Sequence, residues 1–193
     1  MKTILIINGN PKEHSLSKSI VDSYKKGAEN AAKVEVLHLN ELTFNINQTG
    51  PLKLEENELE ASLIHAQNLI KIADHIVWVY PIWWGGMPAL LKGFIDRTFL
   101  SGFAFQYRKD SMYWDKLLSG KTSRIIVTMD APSWYFRFIL RNHSLNQLKK
   151  SILNFCGIKV KGVSYFGKVR FRKENEITDF LVKMTELGQS ESI

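Results

Sequence analysis

One stretch of the chain, residues 75–99, constrains its fold more than any other. Residues 76–80 are apolar, β-branched or aromatic, without polar alternation. Such a run is typical of a strand buried on both faces of a parallel sheet. Pro81 ends the run because it has no N–H to donate. Gly85 and Gly86 allow a turn, and Pro88 favours the start of a helix. The stretch therefore predicts a strand, a loop rich in aromatic residues and glycine, and a helix.

The loop of this unit is expected to hold a ligand. Loops at the carboxyl ends of parallel strands line the ligand crevice of open α/β sheets. Trp83 and Trp84 lie beside two glycines, whose backbone another flat group can approach closely. This arrangement favours a large planar heterocycle. The alternative, that the two tryptophans only cap the core, stays open at this point.

The rest of the chain repeats the alternation of strand and helix. Further strands are predicted at residues 3–7, 33–39, 123–128 and 158–166, and helices after residue 15 and at 59–73, 144–155 and 174–187. Such alternation predicts an α/β fold in which helices cover both faces of a parallel sheet. Residues 1–188 are expected to form a single domain, and residues 189–193 a loose C-terminal tail.

Residues 101–121 are predicted to form a loop with many aromatic side chains among charged ones. So many aromatic residues outside regular structure need to be covered by a ligand or by another subunit. They are Phe103, Phe105, Tyr107, Tyr113 and Trp114. We therefore expect a homodimer with the ligand pocket at its interface.

The charge of the chain is unevenly distributed. The net charge is +7, and residues 131–173 contain no Asp or Glu. A basic half favours phosphate-bearing molecules, and the alternative is a solvated surface. No nucleic-acid recognition module accompanies the charge, so nucleic acid is not an expected partner.

Cysteine content and hydropathy further restrict the class of protein to which the chain can belong. Cys156 is the only cysteine, which excludes an intramolecular disulfide and fits a reducing cytoplasm. A membrane span is not expected, because the longest uncharged apolar region is interrupted by proline and glycine. No set of His, Cys and carboxylate residues has metal-ligand spacing, so no metal site is expected.

The loop after the first predicted strand suits an anion. Asn10 is followed by Pro11, His14, Ser15 and Ser17, just ahead of a helical pattern. Hydroxyl and free N–H groups at a helix N-terminus bind anions. A serine that only caps the helix is the alternative. Two other phosphate motifs, GxGxxG and GxxxxGK[ST], are absent from the sequence.

Residues 81–99 resemble the NAD(P)H:quinone reductase branch of the flavodoxin-like flavoproteins, which includes the modulator-of-drug-activity type. The family pattern is Pro-apolar-(Gln/Trp)-Trp-x-x-x-Pro-Ala-x-Leu-Lys-Gly-(Trp/Phe)-apolar-(Asp/Glu)-Arg-x-(Phe/Leu), and the chain matches it nearly position by position. Residues 102–105 match the segment that follows. Residues 10–17 are similar to the family's flavin-phosphate loop, with Asn10 where many relatives carry His.

The resemblance implies a flavodoxin-like fold, with a five-stranded parallel sheet in the order 2-1-3-4-5 and helices on both faces. It also implies non-covalent FMN or FAD, with the flavin ring on residues 81–85. Peptide N–H groups of residues 83–85 would face the N5/C4=O edge of the ring, and those of residues 128–131 would face N1/C2=O. The implied cofactor-binding residues are Asn10, His14, Ser15, Leu16, Ser17, Pro81, Ile82, Trp83, Trp84, Gly85, Thr128, Met129, Asp130 and Ala131.

The third loop departs from the family, because many relatives carry Thr-Thr-Gly-Gly where this chain has Thr-Met-Asp-Ala-Pro at residues 128–132. An ionised Asp130 beside reduced flavin would oppose its charge, so we expect the carboxylate to turn away and cap the turn. Relatives carry a Tyr and a His slightly downstream. Tyr135 and His143 are therefore the predicted catalytic residues, as proton donors. The alternative is a pocket wall for Tyr135 and a helix N-terminus for His143.

The function that the resemblance implies is that of an NAD(P)H dehydrogenase (quinone)-like oxidoreductase. NAD(P)H would reduce the flavin, and a quinone or similar flat acceptor would take the electrons. Azo- or nitroreductase activity is one alternative. The others are a non-enzymatic flavin redox sensor or carrier and a regulatory subunit of a potassium-efflux system.

Overall fold

A computed structural model of the chain describes residues 1–50, 52–53 and 58–192. The strands are β1 (Thr3–Asn8), β2 (Lys33–His38), β3 (His75–Pro81), β4 (Phe105–Tyr107), β5 (Trp114–Lys116), β6 (Thr122–Thr128) and β7 (Lys159–Phe166). Five of them form a parallel sheet in the order β2-β1-β3-β6-β7. The short strands β4 and β5 pair separately and antiparallel. Without that hairpin the order is 2-1-3-4-5, which confirms the expected fold.

The central strand, β3, is buried along its whole length. Successive side chains of a strand point to opposite faces of the sheet. Trp78 and Tyr80 accordingly belong to the hydrophobic core on one face, and Val77 and Val79 to the core on the other. Because both faces are covered, the run at residues 76–80 has no polar alternation.

Helices cover both faces of the sheet, as predicted. They are α1 (Leu16–Ala28), α2 (Ala61–Ile72), α3 (Ala89–Thr98), α4 (His143–Asn146), α5 (Asn154–Cys156) and α6 (Glu174–Ser192). A π-helical segment, Gln147–Leu153, joins α4 to α5. Val21 of α1 and Met184 of α6 pack with Val77, whereas Phe94 of α3 and Leu148 pack with Trp78 on the other face. None of the helices in the described ranges is long and apolar enough to cross a membrane.

Helices α1 and α6 approach each other closely through two glycines. A Cβ atom on Gly27 would overlap the carbonyl of Thr185, and one on Gly188 would overlap the carbonyl of Tyr24. Only glycine allows backbones to come this near. The contact fixes the C-terminal helix along the first helix of the chain.

The loose tail expected at residues 189–193 is wrong for residues 189–192, which continue α6 to Ser192. Ile193 lies outside the described residues. The reason is a long-range contact at the end of the helix. The Glu191 carboxylate accepts hydrogen bonds from the Tyr24 hydroxyl and from Arg124 Nε, both at 2.7 Å. Neither partner is close to Glu191 in sequence, so no local pattern predicted the order of this segment.

The prediction for residues 101–121 is wrong in part, because the segment contains the β4–β5 hairpin and packs against its own chain. The Trp114 ring stacks on Phe155 at a centroid distance of 4.4 Å, and Phe105 meets Phe155 edge-on at 5.1 Å. Phe103 is also half-buried, against the core. Only Tyr107 and Tyr113 of the five aromatic residues are exposed.

Candidate functional site

The loops after β1, β3 and β6 form two adjoining cavities at the carboxyl edge of the sheet. Their volumes are about 290 Å³ and 330 Å³. Ile82, Trp83, Met129 and Asp130 line both, so we treat the two cavities as one cleft. The cleft lies where the strand order reverses, beside β1 and β3, which is where open α/β sheets bind ligands.

The structure brings all the predicted cofactor-binding residues to this cleft. The first cavity is lined by Asn10, His14, Ser15, Leu16, Ser17, Pro81, Ile82, Trp83, Thr128, Met129 and Asp130. Trp84, Gly85 and Ala131 line the second cavity. Three loops that are distant in sequence therefore meet around one space.

Sequence reasoning missed four further lining residues. Lys12 lies in the first loop, with Nζ 5.9 Å from the centroid of the Trp83 ring. Its place between Asn10 and His14 is the sequence signal that could have identified it as a lining residue. Phe136 and Leu140 line the second cavity from positions four residues apart, which is helical spacing. Val169 comes from the loop after β7 and had no local sequence signal.

The first loop is organised by hydrogen bonds among its own side chains. The buried Asn10 donates from its backbone N–H to Asn8 Oδ1 and from Nδ2 to Ser17 Oγ, both at 3.1 Å. Ser15 is the N-cap of α1, and its hydroxyl accepts a backbone N–H of the first turn at 3.4 Å. The N–H groups of Leu16 and Ser17 have no partner in the described part of the chain. The loop therefore presents free donors at a positive helix end, an arrangement that binds anions.

The second loop is a tight turn of Trp83, Trp84, Gly85 and Gly86. Trp83 and Gly86 exchange two backbone hydrogen bonds, of 2.9 Å and 2.8 Å. Trp84 has a φ of 51° and Gly85 a φ of 75°, as both central residues of a type I′ turn must be left-handed. The Trp84 side chain is fully exposed. A Cβ atom on Gly85 would meet no atom of the described residues within 4 Å, so space lies open above this glycine.

This turn reduces the number of backbone N–H groups of residues 83–85 that are available to a ligand. The Trp83 N–H is already bonded to the Gly86 carbonyl, because a two-residue turn pairs the residues that flank it. The N–H groups of Trp84 and Gly85 have no partner among the residues that the structure describes. Two donors, rather than three, are thus available to a ligand from this loop.

Hydrogen bonds hold the third loop against the end of β7 and the loop that follows it. The Met129 N–H donates to the Phe166 carbonyl at 3.0 Å and is therefore not available to a ligand. Asp130 Oδ1 accepts the backbone N–H of Arg170 at 3.2 Å. The expectation that Asp130 turns away and caps its own turn is not met, because Asp130 lines both cavities and its carboxylate bonds to the neighbouring loop. This bond satisfies part of a charge that would otherwise face the cleft.

The two predicted catalytic residues do not line the cleft. Tyr135 begins a π-helical segment, Tyr135–Ile139, and His143 is the first residue of α4; both side chains are exposed. The structure places His143 at a helix N-terminus, which was the alternative to a catalytic role. A proton-transfer role for Tyr135 and His143 therefore stays a prediction without support from the geometry of one chain.

The described residues offer neither a metal site nor a reactive thiol. In the described ranges, no group of three or more His, Cys, Asp or Glu side chains could hold a metal ion. Cys156 is buried, and burial raises the pKa of its thiol to about 12, although Lys116 acts in the opposite direction. A thiol with so high a pKa is not a nucleophile at neutral pH.

The fold and the cleft define an α/β protein with a cleft, lined by three loops, at the carboxyl edge of its parallel sheet. A family model described as the flavodoxin-like fold matches residues 2–187. The chain belongs to this flavodoxin-like family.

Individual relatives agree with this assignment. A Haemophilus influenzae protein named an uncharacterized NAD(P)H oxidoreductase is 31% identical over 170 residues, which cover 86% of this chain and 83% of that protein. Human ribosyldihydronicotinamide dehydrogenase [quinone] is 30% identical over 125 residues. That match covers 63% of this chain but only 53% of the human protein.

Solved structures share the fold over nearly the whole chain. Smu.1420 from Streptococcus mutans superposes with a TM-score of 0.84 at 28% identity, covering 97% of this chain and 99% of that one. An FMN-dependent NADH-azoreductase from Bacillus anthracis, solved with FMN, has a TM-score of 0.73 at 20% identity, with both chains fully covered. At that identity the likeness establishes the fold alone.

Proposed function

We propose that the protein is an NAD(P)H oxidoreductase that uses a non-covalently bound flavin, FMN or FAD, and reduces a quinone or a similar flat acceptor. The observation that carries the proposal is the convergence of all the predicted cofactor-binding residues on one cleft. Relatives named as NAD(P)H oxidoreductase and quinone dehydrogenase support it. When bound, flavin would supply the hydride and electron chemistry between NAD(P)H and the acceptor.

The first loop fits the phosphate of a flavin nucleotide. The unpaired N–H groups of Leu16 and Ser17 lie at the positive end of α1, a helix of 13 residues. Lys12 and His14 line the same cavity, where Lys12 adds a positive charge and both add polar side chains. These residues would bind the phosphate mainly through backbone donors, as helix N-termini do.

The second and third loops fit a flat ring. The open space above Gly85 and the unpaired N–H groups of Trp84 and Gly85 leave room and donors for one edge of it. Ile82, Met129 and Phe136 supply apolar walls that would exclude water from the ring. Asp130, already bonded to the Arg170 N–H, would oppose the charge of a reduced ring less than a free carboxylate would.

A second candidate acceptor is an azo compound. A protein of the same fold is named an azoreductase. Azo compounds are flat, as quinones are, so the same kind of cleft would accommodate either. A redox sensor or a regulatory subunit would need no small acceptor. Steady-state oxidation of NADPH with menadione and with an azo dye, compared side by side, separates these possibilities.

We also propose that the protein forms a homodimer. Phe105 and Trp114 are covered by their own chain and need no partner subunit. Tyr107 and Tyr113 of the hairpin are large side chains that remain exposed.

A cytoplasmic location, expected from the single cysteine, stays a prediction.

The central test is the absorbance spectrum of the purified protein, followed by identification of the released flavin and by Gly85→Val. We expect the parent to bind one flavin per chain. We expect Gly85→Val to lose flavin, because its side chain would occupy the open space above the turn.

Gly120→Val is a matched control. Gly120 also has a positive φ, of 89°, and also has no neighbour within 4 Å of a Cβ atom, but it lies outside the cleft. Both variants therefore carry similar backbone strain. Full flavin content in Gly85→Val would refute the placement of the ring, and loss in both variants would show a general effect of strain.

A further inference from the structure

An apolar and basic surface lies beside the cleft, on the segment after the third loop and on the loop after β7. Its apolar side chains are Trp134, Phe138, Ile139 and Phe171; Phe138 is 70% and Phe171 75% exposed. We name these residues, with the exposed cations Arg137, Arg141, Lys168 and Arg170, the docking surface. Large apolar side chains grouped in this way usually mark a site that another surface covers.

The two halves of the docking surface are held together by direct contacts. The Lys168 N–H donates to the Ala131 carbonyl at 3.2 Å. The Arg137 guanidinium lies 5.4 Å from the centroid of the Tyr165 ring on β7 and 5.7 Å from that of Phe138. The segment after the third loop and the loop after β7 therefore present their side chains together.

The positive charge of the docking surface indicates what kind of surface binds there. Residues 131–173 contain no Asp or Glu, and the nearby Asp130 is bonded to the Arg170 N–H. A second copy bound about a two-fold axis would bring the same cations against each other, which is unfavourable. Exposed Trp, Phe and Ile side chains among arginines instead match a bilayer interface, with acyl chains below anionic phosphates.

We propose that the docking surface binds the protein to an anionic phospholipid membrane. Phe136 and Leu140 come from the same segment and line the second cavity, so a docked protein holds the wall of its cleft at the lipid surface. If the proposed function holds, on which this step rests, the acceptor is a quinone dissolved in the bilayer. Docking itself needs no flavin.

Flotation of the purified protein with vesicles tests the proposal. One vesicle type is phosphatidylcholine alone, and in the other about a third of the lipid is phosphatidylglycerol. We expect partition into the anionic vesicles to be at least about tenfold stronger, and to fall at high salt as the charges are screened. Equal partition into both types, or into neither, would overturn the proposal.

Variants show whether binding uses this surface. Phe138→Ser should weaken partition about tenfold by removing one inserted ring. Met112→Ser is the matched control: Met112 is 91% exposed but lies in the β4–β5 hairpin, and this variant should bind like the parent. Arg170→Gln should weaken binding to anionic vesicles only, since its backbone N–H remains for Asp130.

Two further readouts keep the outcomes distinct. Light scattering without vesicles reports whether Phe138→Ser lowers the mass of the particle; if it does, the docking surface is an interface between copies and the proposal is wrong. Flavin absorbance of the floated protein is measured on the same sample. Flotation without flavin would count against the proposed function and leave membrane docking intact.

Discussion

At the residue scale, Trp84 combines a strained backbone with a side chain that its own chain does not cover. Its φ of 51° is left-handed, and its side chain is fully exposed. A left-handed conformation costs a non-glycine residue about 1–2 kcal/mol. Strain of this kind persists at sites where function requires it. We therefore propose that a bound ligand uses the indole of Trp84, which would account for a turn made of Trp84 and Gly85 rather than of two glycines.

We expect Trp84→Gly to stabilise the protein and to weaken flavin binding. Removing the left-handed strain should raise the free energy of unfolding of the flavin-free protein by about 1 kcal/mol. Urea denaturation measures this, and titration with FMN measures the affinity. Asp110→Gly is a control at a second exposed left-handed residue, with φ of 54°, and should leave flavin affinity unchanged. A less stable Trp84→Gly variant would show that the indole packs on the fold.

At the scale of elements, the end of α6 is fixed to the amino edge of the sheet by one carboxylate. Besides its bonds to Tyr24 and Arg124, Glu191 Oε2 lies 3.5 Å from Nε2 of the buried His75. Burial by itself would raise the pKa of Glu191, but its interactions with His75, Tyr24 and Arg124 outweigh burial and lower the pKa to about 2. The stabilisation is therefore full above the ordinary carboxyl pKa of 4.5 and is lost as the pH falls towards 2.

Glu191→Gln should accordingly destabilise the protein at neutral pH. We expect a loss of about 1–2 kcal/mol in the free energy of unfolding, since partial exposure to water screens the charges. The difference from the parent should shrink as the pH falls from about 5 towards 2, because protonation of the parent carboxylate sets in towards that pH. Urea denaturation across this range measures both. Flavin content should not change, because the cluster lies at the edge of the sheet opposite the cleft.

Glu176→Gln provides the control on the same helix. Glu176 pairs with Arg172 at i,i+4, and both side chains are partly exposed. Exposed pairs of this kind contribute little to stability. A loss as large as that of Glu191→Gln would mean that any charge change in α6 destabilises the fold, and the specific role of Glu191 would be refuted.

At the scale of the whole molecule, the exposed face of the β4–β5 hairpin predicts the oligomeric state. We expect a scattering mass of twice the 22.2 kDa of one chain at micromolar concentration. Tyr113→Ser should shift the protein towards single chains, because it removes a large exposed ring from that face. Phe138→Ser, on the docking surface, should keep the parent mass. A parent mass of one chain would exclude the dimer.

The sequence by itself determined the elements and most of the cleft. The uninterrupted apolar run at residues 76–80 required a strand covered on both faces, and the alternation around it required helices to provide that cover. Turn and cap residues such as Ser15 and Gly85 act within a few positions of themselves. Their local preferences identified the first two loops, and the resemblance to the flavodoxin-like flavoproteins implied the third. Because parallel strands place their carboxyl ends at one edge, the loops could be expected to meet.

Only the tertiary structure decided which partners those loops and helices use. The Trp83 and Met129 N–H groups are bonded to carbonyls, Val169 joins the cleft from β7, and α6 continues to Ser192 because Glu191 meets Tyr24 and Arg124. Tyr135 and His143 likewise follow the right loop and yet lie outside the cleft. A residue pattern carries local conformational preference, whereas a hydrogen bond between distant segments exists only once packing has brought donor and acceptor together.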